Sequence, residues 1–322
     1  MPTTRFRYLL LSILLISFWS TISAKEYSFR DEKVYAVGEN PRLELNYHEG
    51  NVEISSHDID RVVIRTTRRV NAVGMEEGRK IADNMVMKVE REHSSLIVNT
   101  GFMEKPEDNP SFWNKLLGTA QDNPNGAIDF EILVPENCDV VISNNTGAMR
   151  LSNLRGSIDL RSSSSDIQLN TIEGEVTVNN ASGNTTGDLI YGPVMIHQPM
   201  GKIELNWIEG DIKIKSSSAS ISIKQERGAV DLISASGSVD VRTNLLSSRD
   251  NFISTESGDV NLVVSRSASA SLDIASDLGN VKTDIPITIT SVSGRRLVGE
   301  FGDRGVTIHV TSSTGDVSVA QY

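Results

Sequence analysis

Aspartate follows a small turn residue at several points of the sequence, a pattern that could bind calcium. Calcium-binding β-rolls use the repeat G-G-x-G-x-D-x-U-x, in which the turn aspartates recur and point at the ion. In this sequence each turn has one glycine at most, and the residue after it varies: Ser157, Asp166, Glu175, Asn184, Pro193, Lys202, Asp211. The pattern therefore predicts neither a calcium ladder nor another metal site.

Carboxylates could also act as general acid and base, as in polysaccharide-cleaving enzymes built on parallel β-helices. That chemistry needs acids or bases clustered on one outer face over neighbouring coils. If residues 18 apart stack, the outward columns are Arg150, Gln168, Thr186, Glu204, Ser222, Asp240 and Asp159, Thr177, Met195, Lys213, Asp231. Neither column holds adjacent carboxylates, and Lys213 beside Asp231 is typical of a solvated ion pair. The earlier acids are too dispersed to indicate an acid–base pair, so no catalytic residue is predicted.

The histidines, serines and single cysteine give no nucleophilic or cofactor site. The five histidines, at 48, 57, 93, 197 and 309, are scattered and form no H-E-x-x-H motif. The serine clusters at 162–165 and 216–218 fall at turns, where hydroxyls can bond backbone groups, and no G-x-S-x-G occurs. Cys138 cannot form an intramolecular disulfide and is predicted to be a small residue half-buried beside a strand. We expect no bound cofactor.

The element that positions all these side chains is a repeat of nine residues. Small residues recur at Gly147, Gly156, Ser165, Gly174, Gly183, Gly192, Gly201, Gly210, Ala219, Gly228 and Gly237. The positions two and four places after each are almost all aliphatic, as in Ile212 and Ile214 after Gly210. Each unit therefore predicts a tight turn followed by a short strand that points two apolar side chains inward.

A second period, of about 18 residues, lies inside the first. Large aliphatic residues (Leu154, Ile172, Ile190, Ile208) alternate with small ones (Ser163, Ala181, Pro199, Ser217) just before successive turns. Two strands fit one such unit, and each would pair in parallel with the equivalent strand of the next unit. The prediction is an all-β fold: a right-handed parallel β-solenoid, β-helix- or β-roll-like, with about 18 residues per coil.

The chain after Val241 departs from this spacing. The glycines step by 21 residues from Gly237 to Gly258 and Gly279, then by 36 to Gly315. We expect the stack to continue in chain order, with the extra residues in corner loops. Residues 284–305 should form a strand, a loop and a return strand.

Residues 25–146 are predicted to form a β-rich cap, continuous with the solenoid of residues 147–322. Helical spacing from Met75 to about Val89 indicates a short helix within the cap, and a change to strand by Met87 is the alternative. A polar loop at 102–127 breaks the pattern around an apolar island of Phe112, Trp113, Leu116 and Leu117. This island is either a turn tucked onto the body or a partner-docking element.

Residues 1–24 have the composition of a signal peptide. Arg5 and Arg7 precede the apolar run 8–19, and the segment closes on Ile22-Ser23-Ala24. Cleavage would leave an extracytoplasmic protein with no transmembrane segment, in the periplasm, on the outer surface or secreted. It would not be a lipoprotein, because Cys138 is far from the cleavage point. The net charge of −11 argues against nucleic acid or anionic lipid as partners.

The repeat motifs resemble a known family. The units TGAMRLSNLRGSIDLRSSSSDIQL, NWIEGDIKIKSSSASISI and ESGDVNLVV, the element ILVPENCDVVISNNTG and the closing RRLVGEFGDRGVTIHVTSSTGDVSV are similar to the bacterial putative-adhesin family with β-strand repeats. The resemblance covers residues 40 to 322. It implies an extracytoplasmic β-solenoid without established catalytic residues.

Two classes of function remain open from the sequence. The first is a non-catalytic envelope or secreted protein, an adhesin-like binding or scaffold module for a protein or glycan of the cell envelope, with a role in adhesion or envelope-stress signalling. The second is a carbohydrate-active enzyme on a parallel β-helix, with its site in the irregular segments. The outward columns favour the first.

Overall fold

The structure, a computed structural model, describes residues 24–102, 126–303 and 305–322. Within these ranges the chain forms 25 strands and one helix, which confirms the all-β class. The predicted signal segment up to residue 23 and the docking residues Phe112, Trp113, Leu116 and Leu117 lie outside the described residues. No helix within those ranges is long and apolar enough to cross a membrane.

The elements before the regular repeats are one helix and nine strands of unequal length. They are β1 (Lys25–Ala36), β2 (Arg42–Asn46), β3 (Val52–His57), β4 (Arg61–Ala72), α1 (Met75–Asn84), β5 (Met85–Glu92), β6 (Ser95–Phe102), β7 (Gly126–Pro135), β8 (Asp139–Arg155) and β9 (Ile158–Glu173). The helix ends at Asn84, earlier than the helical spacing indicates, because β5 begins at Met85 and pairs with β6.

The regular repeats form shorter strands. They are β10 (Val176–Asn180), β11 (Asn184–Tyr191), β12 (Val194–His197), β13 (Lys202–Glu209), β14 (Ile212–Ser216), β15 (Ser220–Arg227), β16 (Val230–Ser234), β17 (Val239–Thr243), β18 (Asn251–Thr255) and β19 (Val260–Val264). The last elements are β20 (Ala270–Ser276), β21 (Val281–Thr283), β22 (Thr288–Ser293), β23 (Arg296–Phe301), β24 (Val306–Ser312) and β25 (Val317–Gln321).

The strands are hydrogen-bonded into two columns, both of which include the long strands β8 and β9. Column A runs β5–β6–β2–β8–β9–β10–β12–β14–β16–β18–β24–β20–β23–β22. Column B runs β1–β4–β7–β3–β8–β9–β11–β13–β15–β17–β19–β25–β21. The central strands are parallel, and antiparallel strands occur only towards the column ends.

Residues 18 apart face each other through the middle of both columns. Val176, for example, pairs with Ile158 on one side and Val194 on the other. Inward positions alternate with outward ones along each strand, so Ile212 and Ile214 are buried while Lys213 and Lys215 are exposed. The two outward columns read from the sequence are present, including the Lys213–Asp231 ion pair at 3.6 Å between Nζ and Oδ2.

The expectation that the last coils follow chain order is wrong. Strands β24 and β25 lie between β18/β19 and β20/β21, so the final segment is inserted into the stack. The hairpin β22–β23, in the predicted strand–loop–strand segment, pairs antiparallel with β20 and covers its outer edge. The insertion gives both edges of β24 and β25 a partner. The other end is arranged in the same way, with β2/β3 between β6/β7 and β8.

Glycines at one corner allow the coils to approach closely. Gly174 has φ 152°, and a Cβ there would lie 2.1 Å from the carbonyl oxygen of Gly156. Gly192 repeats the contact, with 2.2 Å from its Cβ position to the carbonyl oxygen of Gly174. Any side chain at these positions would push backbone against backbone, which explains the glycine at this corner of the coil.

We predict that Gly174→Ala lowers the free energy of unfolding by several kcal/mol, because the clash is with backbone and the φ value disfavours a Cβ. Gly38→Ala is the matched control, since nothing lies within 4 Å of its Cβ position. Thermal or urea unfolding measures both. Equal stability of the two variants would contradict the close approach at this corner.

We also predict that Ile212→Asp lowers the free energy of unfolding by several kcal/mol, because it buries an unpaired carboxylate. Lys215→Asp, three residues on and exposed, faces His197 and Ile233 in register and should change stability little. Urea unfolding of both variants tests the inward and outward assignment. Comparable losses would contradict it.

Candidate functional site

The turn carboxylates join neighbouring coils through the backbone. Asp139, Asp166 and Asp211 each accept a hydrogen bond from the backbone N–H 18 residues on, with N–Oδ1 distances of 2.7, 3.0 and 2.9 Å. Asp316 accepts from the N–H of Asn280 at 2.7 Å. These carboxylates therefore have a structural role that accounts for the glycine–aspartate pattern. Among the described residues, no group of three or more histidine, cysteine, aspartate or glutamate side chains is arranged to hold a metal ion.

Buried polar side chains hold the tight corners. Asn180 Nδ2 donates to the carbonyl of Ser165 at 2.8 Å, and Gln198 Nε2 to that of Gly183 at 3.0 Å. Ser276 Oγ donates to the carbonyl of Gly315 at 2.8 Å. The serine-rich turns are thus structural, as the sequence indicates.

Cys138 is buried, and burial raises the pKa of its thiol to about 12. Its Sγ donates to the carbonyl of Asp139 at 3.4 Å. A thiol protonated at neutral pH is a poor nucleophile, so Cys138 behaves as a small core residue, more deeply buried than the sequence indicates.

The histidines stay separate. His57 lies in a loop contact, with Nε2 2.8 Å from the carbonyl oxygen of Arg61. His309 stacks on Phe252 with ring centroids 4.9 Å apart, and its Nδ1 lies 3.4 Å from Asp273 Oδ2. His197 is exposed on the outer face of column A. They form no common site within the described parts of the chain.

The acids of the N-terminal strands are brought together, contrary to the sequence-based expectation that they are dispersed. Glu32, Arg65, Glu131, Glu53 and Arg150 follow one another in register across column B. The sequence could not show this row, because the pairings of β3 and β7 join residues 78 positions apart.

Arginine side chains bridge this row of acids. Arg65 Nε lies 2.7 Å from Glu32 Oε2, and its Nη1 lies 2.6 Å from Glu131 Oε1. Hydrogen bonds to Glu32 and then Glu131 raise the pKa of Arg65. Behind it, Arg69 binds Asp129 with N–O distances of 2.5 and 3.0 Å. The row lines an open groove of about 630 Å³, and its alternating charges are typical of cross-strand pairs that fix strand register.

A different surface exposes apolar side chains at one corner of the coils. Asn153, Thr171, Leu189 and Trp207 occupy equivalent positions in successive coils, each in the left-handed region with φ between 54° and 57°. The ladder pairs the residues on either side of these positions, so the side chain at each one points away from the core. The first two are short and polar, whereas Trp207 is 54% exposed and Leu189 is also exposed.

Tyr191 lies next to this corner and completes an apolar surface among acceptors. It is 44% exposed and pairs in register with Glu173 on one side and Glu209 on the other. Asp188 and Asn206 face each other just before the corner. We name Leu189, Tyr191 and Trp207, with Glu173 and Glu209, the corner patch. It can present aromatic ring faces beside carboxylate acceptors.

Sequence reasoning missed the corner patch, although a signal was present. A leucine and a tryptophan occupy a column of equivalent positions whose preceding members are Asn153 and Thr171. Without the structure, these positions could equally have been inward.

We predict that the turn carboxylate Asp316 stabilises the fold at neutral pH and that this contribution is lost in acid. The backbone N–H of Asn280, and then its side-chain amide, hold the pKa of Asp316 below its usual value. A carboxylate whose pKa is lowered by folding stabilises the protein at pH values above the pKa of the unfolded chain, which is about 3.9. This stabilisation is lost as the pH falls through the pKa of the folded protein. Asp316→Asn should therefore melt below wild type at neutral pH and approach it near about pH 2. The control for the loss of one carboxylate is Asp58→Asn, an exposed change between β3 and β4, measured over the same pH range.

The comparisons with known proteins agree with the repeat motifs. Residues 194–320 match the family described as Toastrack DUF4097. No protein of curated function matches the sequence.

Solved structures align along most of the chain at low identity. A putative adhesin from Parabacteroides distasonis is 11% identical, with 91% of this chain and 97% of that chain covered and a TM-score of 0.36. A putative adhesin from Bacteroides fragilis has the same identity and coverage and a TM-score of 0.34. A putative cell adhesion protein from Clostridium sporogenes is 10% identical over 91% of this chain and 100% of that chain, with a TM-score of 0.24. None superposes closely enough to relate individual residues. The match of residues 194–320 to Toastrack DUF4097 confirms the resemblance seen in the repeat motifs.

Proposed function

We propose that this protein is a non-catalytic, adhesin-like binding module that holds a glycan of the cell envelope at its corner patch. The observation that carries the proposal is Trp207, a large aromatic residue that is half exposed and also in the left-handed backbone region. Neither property helps the fold.

The left-handed backbone at this corner has a conformational cost that depends on the residue type. A left-handed conformation costs an L-residue about 1–2 kcal/mol, and least for glycine, asparagine and aspartate. Asn153 meets this requirement in the equivalent position two coils before Leu189. Leucine and tryptophan at this position have the conformational cost and also expose apolar area to water. Strained, exposed residues of this kind cluster at ligand sites.

The chemistry of the corner patch favours a sugar. The faces of Tyr191 and Trp207 carry the negative part of the ring quadrupole, which suits the C–H faces of a pyranose ring. Glu173 and Glu209 flank Tyr191 and can accept hydrogen bonds from sugar hydroxyls. These acids and the net charge of −11 disfavour an anionic glycan. Three apolar side chains are too few for a standard protein interface of about 800 Å² per partner.

The rest of the chain serves as a scaffold for this surface. We propose that the repeats wind as a right-handed solenoid of about 18 residues per coil. The register of Val176 with Ile158 and Val194 supports the spacing of 18 residues. Residues 25–146 and 147–322 would form one continuous domain outside the cytoplasm after loss of residues 1–24. The docking residues Phe112, Trp113, Leu116 and Leu117 would supply a second, protein-directed contact, through which envelope stress could be signalled.

The test is binding of the purified protein to immobilised neutral oligosaccharides based on glucose, galactose and N-acetylglucosamine. We predict that Trp207→Asn lowers affinity at least about tenfold, equal to about 1.4 kcal/mol. The same change should leave the melting temperature unchanged or raise it, because asparagine tolerates the left-handed conformation.

Met195→Thr is the matched control. Met195 is 47% exposed on the outer face of column A, and threonine occupies the neighbouring rung at Thr177. It should bind like wild type. Equal affinity of Trp207→Asn and wild type, or an equal loss in Met195→Thr, would rule out the corner patch as the glycan site.

A further inference from the structure

We infer that two copies of this protein associate through strand β22, which pairs antiparallel with β22 of the second copy. Within the described residues, β22 pairs with β23 alone, so its other edge offers unpaired N–H and C=O groups. All six residues of the strand, Thr288–Ser293, are exposed.

The other column edges are protected and β22 is not. Strand β1 has charged side chains at six of its 12 positions, and β5 ends in Lys-Val-Glu-Arg-Glu. Strand β21 has only three residues, one of them Lys282. Charges and short length are the usual means of blocking edge-to-edge association. The sequence of β22, Thr-Ile-Thr-Ser-Val-Ser, has no charge and no proline. This edge therefore lacks the protection that the same protein applies elsewhere.

A bulge gives β22 an apolar face. The register with β23 shifts between Ile289 and Ser291, so Ile289 pairs with Gly299 and Val292 with Leu297. Gly299 and Leu297 are two residues apart and share a face, which places Ile289 and Val292 on one face also. Their side chains are 56% and 62% exposed.

The side chains of β22 are complementary to those of a second, antiparallel copy of the same strand, and they offer no charge to a charged partner. A two-fold axis between Thr290 and Ser291 would place Ile289 opposite Val292 of the second copy and hydroxyl residues opposite one another. The chain before β22 carries the exposed Asp284, and the turn after it carries the exposed Arg295, whose Nη1 donates to the carbonyl of Asp277 at 2.7 Å. Antiparallel pairing brings the Asp284 end of one copy to the Arg295 end of the other. This charge complementarity at both ends favours a second copy as the occupant of the edge.

The association is expected to be modest. One strand pair with two apolar contacts per copy is at the small end of specific interfaces, so we expect micromolar dissociation. The pairing is isologous and uses up both edges, so growth should stop at the dimer.

Sedimentation velocity over a range of protein concentrations tests the inference. We expect a monomer–dimer equilibrium in wild type, weakened at least about tenfold by Val292→Lys, because lysine blocks edge pairing. Val34→Lys is the matched control: Val34 is 50% exposed on the edge strand β1, and its change should leave the equilibrium intact. Matching melting temperatures of the three proteins would show that folding is unaffected.

A cross-link tests the register independently. Cys138 is buried, so Ser291→Cys places a single accessible thiol beside the two-fold axis. Mild oxidation should give a covalent dimer in Ser291→Cys and none in wild type. A wild type that stays monomeric at all concentrations, a dimer that survives Val292→Lys, growth beyond the dimer, or failure of the cross-link would each overturn the inference. Neither experiment depends on the glycan proposal.

Discussion

Successive coils come into backbone contact at the glycine corner, and the rest of the stack is built on this contact. At Gly174, Gly192, Gly210 and Gly228 the Cβ position lies between 2.0 and 2.2 Å from a carbonyl oxygen of the adjacent coil. Only a residue without a side chain allows this approach. The contact brings one coil against the next so that strands on both sides reach hydrogen-bonding distance. Inward aliphatic residues then fill a continuous core from Leu43 to Val319.

The polar residues around this corner follow from the same constraint. A tight corner leaves backbone N–H and C=O groups that cannot join the ladder, and a buried group without a partner is costly. Turn carboxylates such as Asp211 accept from the next coil, and buried amides such as that of Gln198 donate to carbonyls inside it. Aspartate, asparagine, glutamine and serine therefore recur because backbone groups need partners.

A stack of parallel strands has two ends, and each must hide its unpaired edges. At both ends the chain places one coil between two others and adds antiparallel strands outside. Charged rows such as Arg65 with Glu32 and Glu131 fix the register of these added strands. Two surfaces of the described chain are exposed without such protection. The corner patch exposes two aromatic rings, of which that of Trp207 is on a left-handed residue, and β22 exposes an uncharged edge. We propose functions for these two surfaces because neither the exposed aromatic residues nor the uncharged strand edge stabilises the fold.

Three features could be read from the sequence: the repeat, the inward and outward alternation, and the pairing of each strand with its equivalent in the next coil. Each of these is a local pattern that the next unit repeats. Ile212, Lys213 and Ile214 take the sides that their spacing predicts. Contacts between residues distant in the chain became visible only in the fold. It placed β24 between β18 and β20, and it set Glu53 beside Glu131. It also turned Leu189 and Trp207 outward, since a left-handed corner residue leaves the strand alternation that the pattern assumes. The periodicity of the sequence predicts whether a residue faces inward or outward within its own repeat. The spatial order of the coils and the conformation of their corners depend instead on how the chain covers the ends of the stack and turns between strands.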